Sequence, residues 1–281
     1  MGNLLGKDKL YNYIDKFGFG EKTGIDLNGE GKGIIFSRDQ VHDLELATTA
    51  FGQGISVTPI QQVTAVSAVV NEGTLYKPYI VKNILDSASN SVVESNNPTI
   101  TRDKIITKET SEKMRYALES VVARGGGRSA YVEGYRIGGK TGTAQKVENG
   151  SYLANNYIMS FMSVIPSNNP QVVFYLAIDN PKNTALLSSY TTTPIARRII
   201  LDIIDALNIK KQTGEIKKVY EWNDEVYVSV PNVVGMNIED AKKKLQDFEI
   251  KIDGNGTKVL EQSPSGGETI PKTSTIRVYL D

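Results

Sequence analysis

The sequence has no cysteine and a single histidine, His42. The first absence removes disulfides, thiolate nucleophiles and cysteine-ligated zinc together. The second excludes a histidine-rich metal centre and leaves His42 as the one histidine that could serve a Ser-His-Asp triad. His42 stands in Asp39-Gln40-Val41-His42-Asp43, with no strand-turn-helix serine motif nearby, and reads as a surface or capping residue. An excess of either charge is lacking too. Lys+Arg and Asp+Glu are both 32, so no overall field steers the chain onto nucleic acid, and no basic run with interleaved aromatics replaces one. No apolar run reaches the length of a membrane span, and no signal peptide opens the chain. The Gly-rich loop and His-Arg-Asp motif of protein kinases are missing as well. Nothing in the sequence calls for a cofactor or a metal.

What is present suffices for two packed domains. The chain has 281 residues, 40% hydrophobic and 23% charged, close to globular averages. Met1 leads directly into Leu4, Leu5, Leu10, Tyr11, Ile14 and Phe17, an amphipathic helix spacing that ends at Gly18 and Gly20. A chain that opens inside a helix reads as truncated. Residues 18–44 read as a long loop. Thr58-Pro59-Ile60-Gln61 is a helix start with a cap, a first-turn proline and a capping-box glutamine, and Ile60, Val63, Val66 and Val70 follow at helical spacing. Tyr79–Leu85 predicts a short strand, and 86–106 a polar periphery. A helix over about 108–123 places Met114, Leu118, Val121 and Val122 on one face, before Gly125-Gly126-Gly127.

Three strand candidates follow closely: Tyr135–Val147, Tyr157–Ile165 and Gln171–Asp179. Short gaps predict antiparallel neighbours. The second and third are apolar on both faces, which calls for helices on both sides of the sheet. Thr193-Pro194 opens a long helix with Ile195, Ile199, Ile203 and Leu207 in register to cover one face. From about 209 the chain turns charged and aperiodic and reads as a linker. Residues 226–281 then form a small α+β module, with Ala241 and Leu245 facing inward from a short helix.

The chemistry-bearing feature is Lys140-Thr141-Gly142-Thr143 on the first of the three strands. The bare Lys-Thr-Gly tripeptide arises by chance in roughly one of fifteen chains this long, and a solvated Lys-Thr hairpin is its ordinary account. Its chemistry is nonetheless specific. Lys140 offers a fixed positive charge to a substrate carboxylate and to a nucleophile's base. Gly142 clears the strand for a ligand that adds to the sheet edge. Thr141 and Thr143 offer hydroxyls, and the Thr143 N–H can donate to an oxyanion. Gln145 can line the same cleft.

The context of the tripeptide resembles class B penicillin-binding proteins over nearly the whole chain. Phe17-Gly18-Phe19-Gly20 with Thr23-Gly24-Ile25-Asp26, the block Ala50-Phe51-Gly52-Gln53-Gly54-Ile55-Ser56-Val57-Thr58-Pro59-Ile60-Gln61, and Gly134-Tyr135-Arg136-Ile137-Gly138-Gly139-Lys140-Thr141-Gly142-Thr143-Ala144-Gln145 carry the resemblance. Val230-Pro231-Asn232-Val233-Val234-Gly235-Met236, Glu261-Gln262-Ser263-Pro264 and Ile276-Arg277-Val278-Tyr279-Leu280 resemble a PASTA module, found after both sporulation and division enzymes of this class. The resemblance implies a partial transpeptidase domain over 1–208, a linker over 209–225 and a PASTA domain over 226–281. It implies an α+β fold, with an antiparallel sheet between helices, and a peptidoglycan D,D-transpeptidase that works through an acyl-serine. Its partners would be D-Ala-D-Ala stem peptides and β-lactams, at the extracytoplasmic face of the membrane, with an anchor absent from this chain.

The same resemblance marks a departure. No serine is followed three residues later by lysine, so the Ser-x-x-Lys nucleophile is missing. Ser-x-Asn has two literal matches, Ser95-Asn96-Asn97 and Ser167-Asn168-Asn169, both in turn-like stretches and both out of family order. The family places both motifs upstream of Met1, so the expected partners include the upstream half or other cell-wall synthesis proteins. Catalysis is therefore expected to be absent from this chain alone. The alternatives are a non-catalytic peptidoglycan-binding protein and a β-lactamase-like hydrolase; no deacylating glutamate motif supports the latter.

Overall fold

Gly6, with φ +82°, splits the first amphipathic stretch into α1 (Gly2–Leu5) and α2 (Lys7–Lys16) where the spacing predicts one helix. Only Tyr11 and Ile14 of α2 are buried, packed with Val41 and with Leu46 of α3 (Asp43–Thr49). A computed structural model describes residues 2–148, 151–182, 188–219 and 227–281. They fall into two units, Met1–Val219 and Tyr220–Asp281.

The capping box forms as the sequence predicts. Thr58 Oγ1 accepts from the Gln61 N–H at 3.2 Å, and Gln61 Oε1 accepts from the Thr58 N–H at 2.9 Å, at the start of α4 (Pro59–Val70). Gln61 does more than cap. It is 1% exposed, and its Nε2 donates to the carbonyls of Glu21 and Lys32, pinning the glycine-rich loop to the helix. The buried face of α4 is therefore Gln61, Ala65, Ala68 and Val70; Ile60, Val63 and Val66 are only half-buried. Thr58→Ala is expected to cost about 1 kcal/mol, read from the midpoint of urea denaturation.

Two small antiparallel pairs follow: β1 (Leu75–Lys77) with β4 (Thr99–Arg102), and β2 (Asn83–Leu85) with β3 (Val92–Ser95). The strand expected over 79–85 is confined to its last three residues. The next helix, α5 (Lys108–Arg124), buries Ser111, Glu119, Val122 and Ala123, while Met114 is 41% exposed. The expected apolar face is rotated because Glu119 has an arginine partner inside.

The centre of the first unit is an antiparallel sheet of β5 (Gly138–Glu148), β6 (Ser151–Ile165) and β7 (Val172–Asp179), in that order. Phe161 and Ile165 of β6 pack with Val122 of α5 and with Ala196, Ile200 and Ile204 of α7 (Thr193–Ala206). Met162 and Val164 point to the opposite face by strand alternation and are also buried. Leu118 of α5 lies over Gly138 on that side, and α4 packs against β7. Both faces are covered, as an apolar central strand requires. The stripe that α7 buries is offset by one residue from the expected one, and Ile195 is 41% exposed. Ile195/Ile199/Ile203 and Ala196/Ile200/Ile204 are adjacent rows of one broad apolar arc, and the smaller Ala196 lets the second row approach the sheet.

The charged stretch 209–219 is attached to the first unit. Ile209 is buried in the main core, Gln212 N–H donates to Gly134 O, Ile216 N–H to Glu119, and Val219 N–H to Ala123 O. Residues 220–225 of the expected linker, and residue 226 at the start of the expected PASTA domain, lie outside the described residues.

In the second unit β12 (Thr275–Leu280) lies between β10 (Val259–Ser263), antiparallel, and β9 (Glu249–Asp253), parallel. A separate pair joins β8 (Tyr227–Ser229) to β11 (Thr269–Pro271). Ala241 of α8 (Ile238–Lys244) and the following Leu245 pack inward against Val259, Ile276 and Val278. The buried Gln262 is satisfied by three backbone groups: it accepts from Val233 N–H and donates to Pro231 O and Pro264 O. No helix among the described residues is long and apolar enough to cross a membrane.

Candidate active site

β5 is the edge of its sheet, so one side of its backbone has no strand partner among the described residues. Alternation places Lys140 and Gly142 on one face and Thr141, Thr143 and Gln145 on the other. A ligand that extends along the open edge therefore meets both sets. Lys140 is exposed, and its Nζ donates to Thr141 O at 2.7 Å, which leaves two further N–H groups for an anion.

The glycines answer first to the fold. A Cβ on Gly139 would lie 2.3 Å from Phe161 Cζ, and one on Gly142 would lie 2.6 Å from Ser160 Oγ of the neighbouring strand. Gly142 thus gives way to Ser160, a constraint beyond the ligand access that the sequence suggests. Gln145 Nε2 donates to Leu153 O at 2.9 Å across the hairpin, which leaves its amide oxygen and its second N–H to offer a ligand.

Two neighbours of the motif were not legible in the sequence. Ser188, the first residue of α6 (Ser188–Thr191), donates to Gly142 O, and its Oγ lies 2.7 Å from Thr143 Oγ1. Gly126, after α5, passes so close that a Cβ there would lie 3.6 Å from Thr141 Oγ1. The hydroxyls of Ser160 and Ser188 both bond the Gly142 carbonyl. Among the described residues neither hydroxyl is bonded to a lysine.

The literal Ser-x-Asn matches are occupied elsewhere. Ser95 Oγ bonds Asn83 Oδ1 on the exposed β2–β3 pair. Ser167 is fully buried, and its hydroxyl donates to Glu119 Oε2 at 2.5 Å. Glu119 also takes three contacts from the Arg136 guanidinium, the closest at 2.9 Å, and the Ile216 N–H at 3.0 Å. Burial pushes this carboxyl up, and the hydrogen bonds from Arg136, Ser167 and Ile216 together bring it below the ordinary glutamate range. His42 caps α3, its N–H donating to Glu45 Oε2. Among the described residues no group of three metal-ligating side chains is assembled.

The penicillin binding protein transpeptidase domain model matches residues 1–201, and the PASTA domain model matches 228–281. The chain belongs to the penicillin-binding protein transpeptidase family. It is 51% identical to the stage V sporulation protein D of Bacillus subtilis over 280 residues, 100% of this chain and 43% of that protein. Against the peptidoglycan D,D-transpeptidase FtsI of Escherichia coli it is 27% identical, over 72% of this chain and 32% of the relative. The chain thus spans less than half the length of these two relatives. A crystal structure of penicillin binding protein 3 from Mycobacterium tuberculosis, complexed with ampicillin, superposes with a TM-score of 0.69 at 28% identity. That match covers 78% of this chain and 51% of the other. Penicillin Binding Protein 2X from Streptococcus thermophilus covers 99% of this chain with a TM-score of 0.61 at 21% identity, which shows a shared fold. In this chain the Lys140-Thr141-Gly142 motif of the family lies on the β5 edge, beside Ser188 of α6.

Proposed function

We propose that this chain supplies the substrate-holding wall of a serine-type peptidoglycan D,D-transpeptidase and is inactive without a nucleophile from outside this sequence. The observation that carries the reading is an intact Lys140-Thr141-Gly142-Thr143 on an edge strand that has no further strand partner among the described residues, in a sequence with no Ser-x-x-Lys. Residues 1–208 form the transpeptidase part and 226–281 the PASTA part. A D-Ala-D-Ala stem peptide lies along β5, with Lys140 and Thr141 at its carboxylate and the Gln145 amide oxygen further along the strand. A serine hydroxyl attacks the penultimate carbonyl, and the Thr143 N–H donates to the oxyanion that forms. The peptide bond breaks, D-Ala leaves with a proton on its amine, and the acyl group passes from serine to an amine of a neighbouring stem. β-Lactams occupy the same groove because they present a carboxylate beside a strained amide. The work takes place at the extracytoplasmic face of the membrane, where peptidoglycan lies.

Whole-protein mass after incubation with benzylpenicillin tests this. The 281-residue chain is expected to stay unmodified. A version extended upstream through a Ser-x-x-Lys segment is expected to gain one penicilloyl group. An adduct on the short chain would identify a nucleophile among its own serines and overturn the assignment. A chain that binds peptidoglycan but gives no adduct in the extended form would point instead to a non-catalytic wall-binding protein.

A further inference from the structure

Ser188 is 1% exposed, and its hydroxyl reaches two atoms of β5, the Gly142 carbonyl and Thr143 Oγ1. The arrangement of hydrogens follows from counting. A serine hydroxyl carries one hydrogen, and a carbonyl can only accept. Ser188 therefore donates to Gly142 O, and the Thr143 hydroxyl donates to Ser188 Oγ. The Thr143 hydrogen is then directed at Ser188, and what this hydroxyl offers a ligand is a lone pair.

The second consequence concerns the backbone. The Gly142–Thr143 peptide is planar and trans, so the Thr143 N–H points opposite to the Gly142 C=O. A hydroxyl that holds the carbonyl fixes the direction of that N–H, the group that serves as oxyanion donor in the proposed reaction. One buried side chain thus bonds both the Thr143 hydroxyl and the carbonyl that orients the Thr143 amide, with Ser160 as a second, longer contact to that carbonyl.

We propose that Ser188 is a positioning residue of the Lys-Thr-Gly strand, fixing the Thr143 N–H toward the oxyanion. The inference rests on the reading of β5 as the substrate wall.

Two measurements test it. In amide NMR spectra of the 281-residue chain, Ser188→Ala is expected to shift the Thr143 resonance and speed its hydrogen exchange, while Ser188→Thr, which keeps the hydroxyl, leaves both close to the parent. In the protein extended through the Ser-x-x-Lys segment, Ser188→Ala is expected to slow acylation by benzylpenicillin about 10- to 100-fold, below the loss from deleting an oxyanion donor outright. Its melting temperature should stay at the parent value, and Ser188→Thr should restore most of the rate. Parent-like acylation of Ser188→Ala overturns the role of Ser188 alone, as does an unmoved Thr143 amide. An extended parent that is never acylated overturns the substrate-wall reading instead, so the two failures are distinct.

Discussion

Arg136→Ala is expected to destabilise the first unit by about 4–5 kcal/mol, more than the roughly 3 kcal/mol expected for Glu119→Ala. The order follows from what each substitution leaves behind. The Glu119 side chain is 3% exposed and that of Arg136 is 23% exposed. Removing the arginine strands a carboxylate in the interior with, among the described residues, Ser167 and the Ile216 N–H left to hold it. Removing the glutamate leaves a guanidinium that can still reach water. Urea denaturation of both variants at neutral pH gives the comparison directly, and equal losses would mean that the carboxylate is better solvated than its burial indicates.

The pH dependence provides a second readout of the same network. The folded carboxyl lies below the ordinary glutamate value of 4.5. Its contribution is therefore fully present above that value and is lost as pH falls through the lower folded one. Without Arg136 the carboxyl no longer has its main charged partner, so protonation relieves the variant while it costs the parent. The stability gap between parent and Arg136→Ala should narrow as pH falls through the acidic range. Because Ile216 is held by Glu119 and Val219 by Ala123, the same titration should loosen residues 209–219, visible as faster exchange of the Ile216 amide.

Glu119 also shows where the sequence stops being informative. Patterns that depend on near neighbours were readable: the Thr58–Gln61 box, the closely spaced antiparallel strands, and Ala241 and Leu245 inside the second unit. The buried face of α5 was not, because a glutamate earns an interior place only through Arg136, seventeen residues away, and Ser167, forty-eight residues away. The same holds for α7, where two apolar rows lie side by side and only the sheet selects between them. In the candidate site, Lys140, Thr141, Gly142 and Thr143 were visible as a motif, and Gln145 as the next residue on the strand. Ser188 was not, since a serine forty-five positions from Thr143 carries no local mark of the contact.

Gly139→Ala is expected to cost about 3 kcal/mol, near the upper end for overpacking a filled core. The new methyl would meet Phe161 Cζ at 2.3 Å and the Met162 carbonyl oxygen at 2.8 Å. Phe161 is fully buried at the centre of the main cluster, so its ring has no free volume to enter. The Met162 oxygen belongs to the strand that pairs with β5 and cannot swing aside. Gly142→Ala is a useful contrast. Its methyl would meet Ser160 Oγ at 2.6 Å, a single atom that one rotamer change removes, so its stability loss should stay below about 1 kcal/mol. Combining Gly139→Ala with Phe161→Leu should recover part of the loss, giving a coupling of about 1–2 kcal/mol between two residues in contact. Absence of coupling would mean that β5 moves away from the core to accept the methyl. A strand free to move that far could not hold Lys140, the next residue, at a fixed place beside a ligand. The thermodynamic cycle therefore tests, in the chain as it stands and without any catalysis, whether the Lys-Thr-Gly strand is held rigidly enough to serve as the wall of an active site.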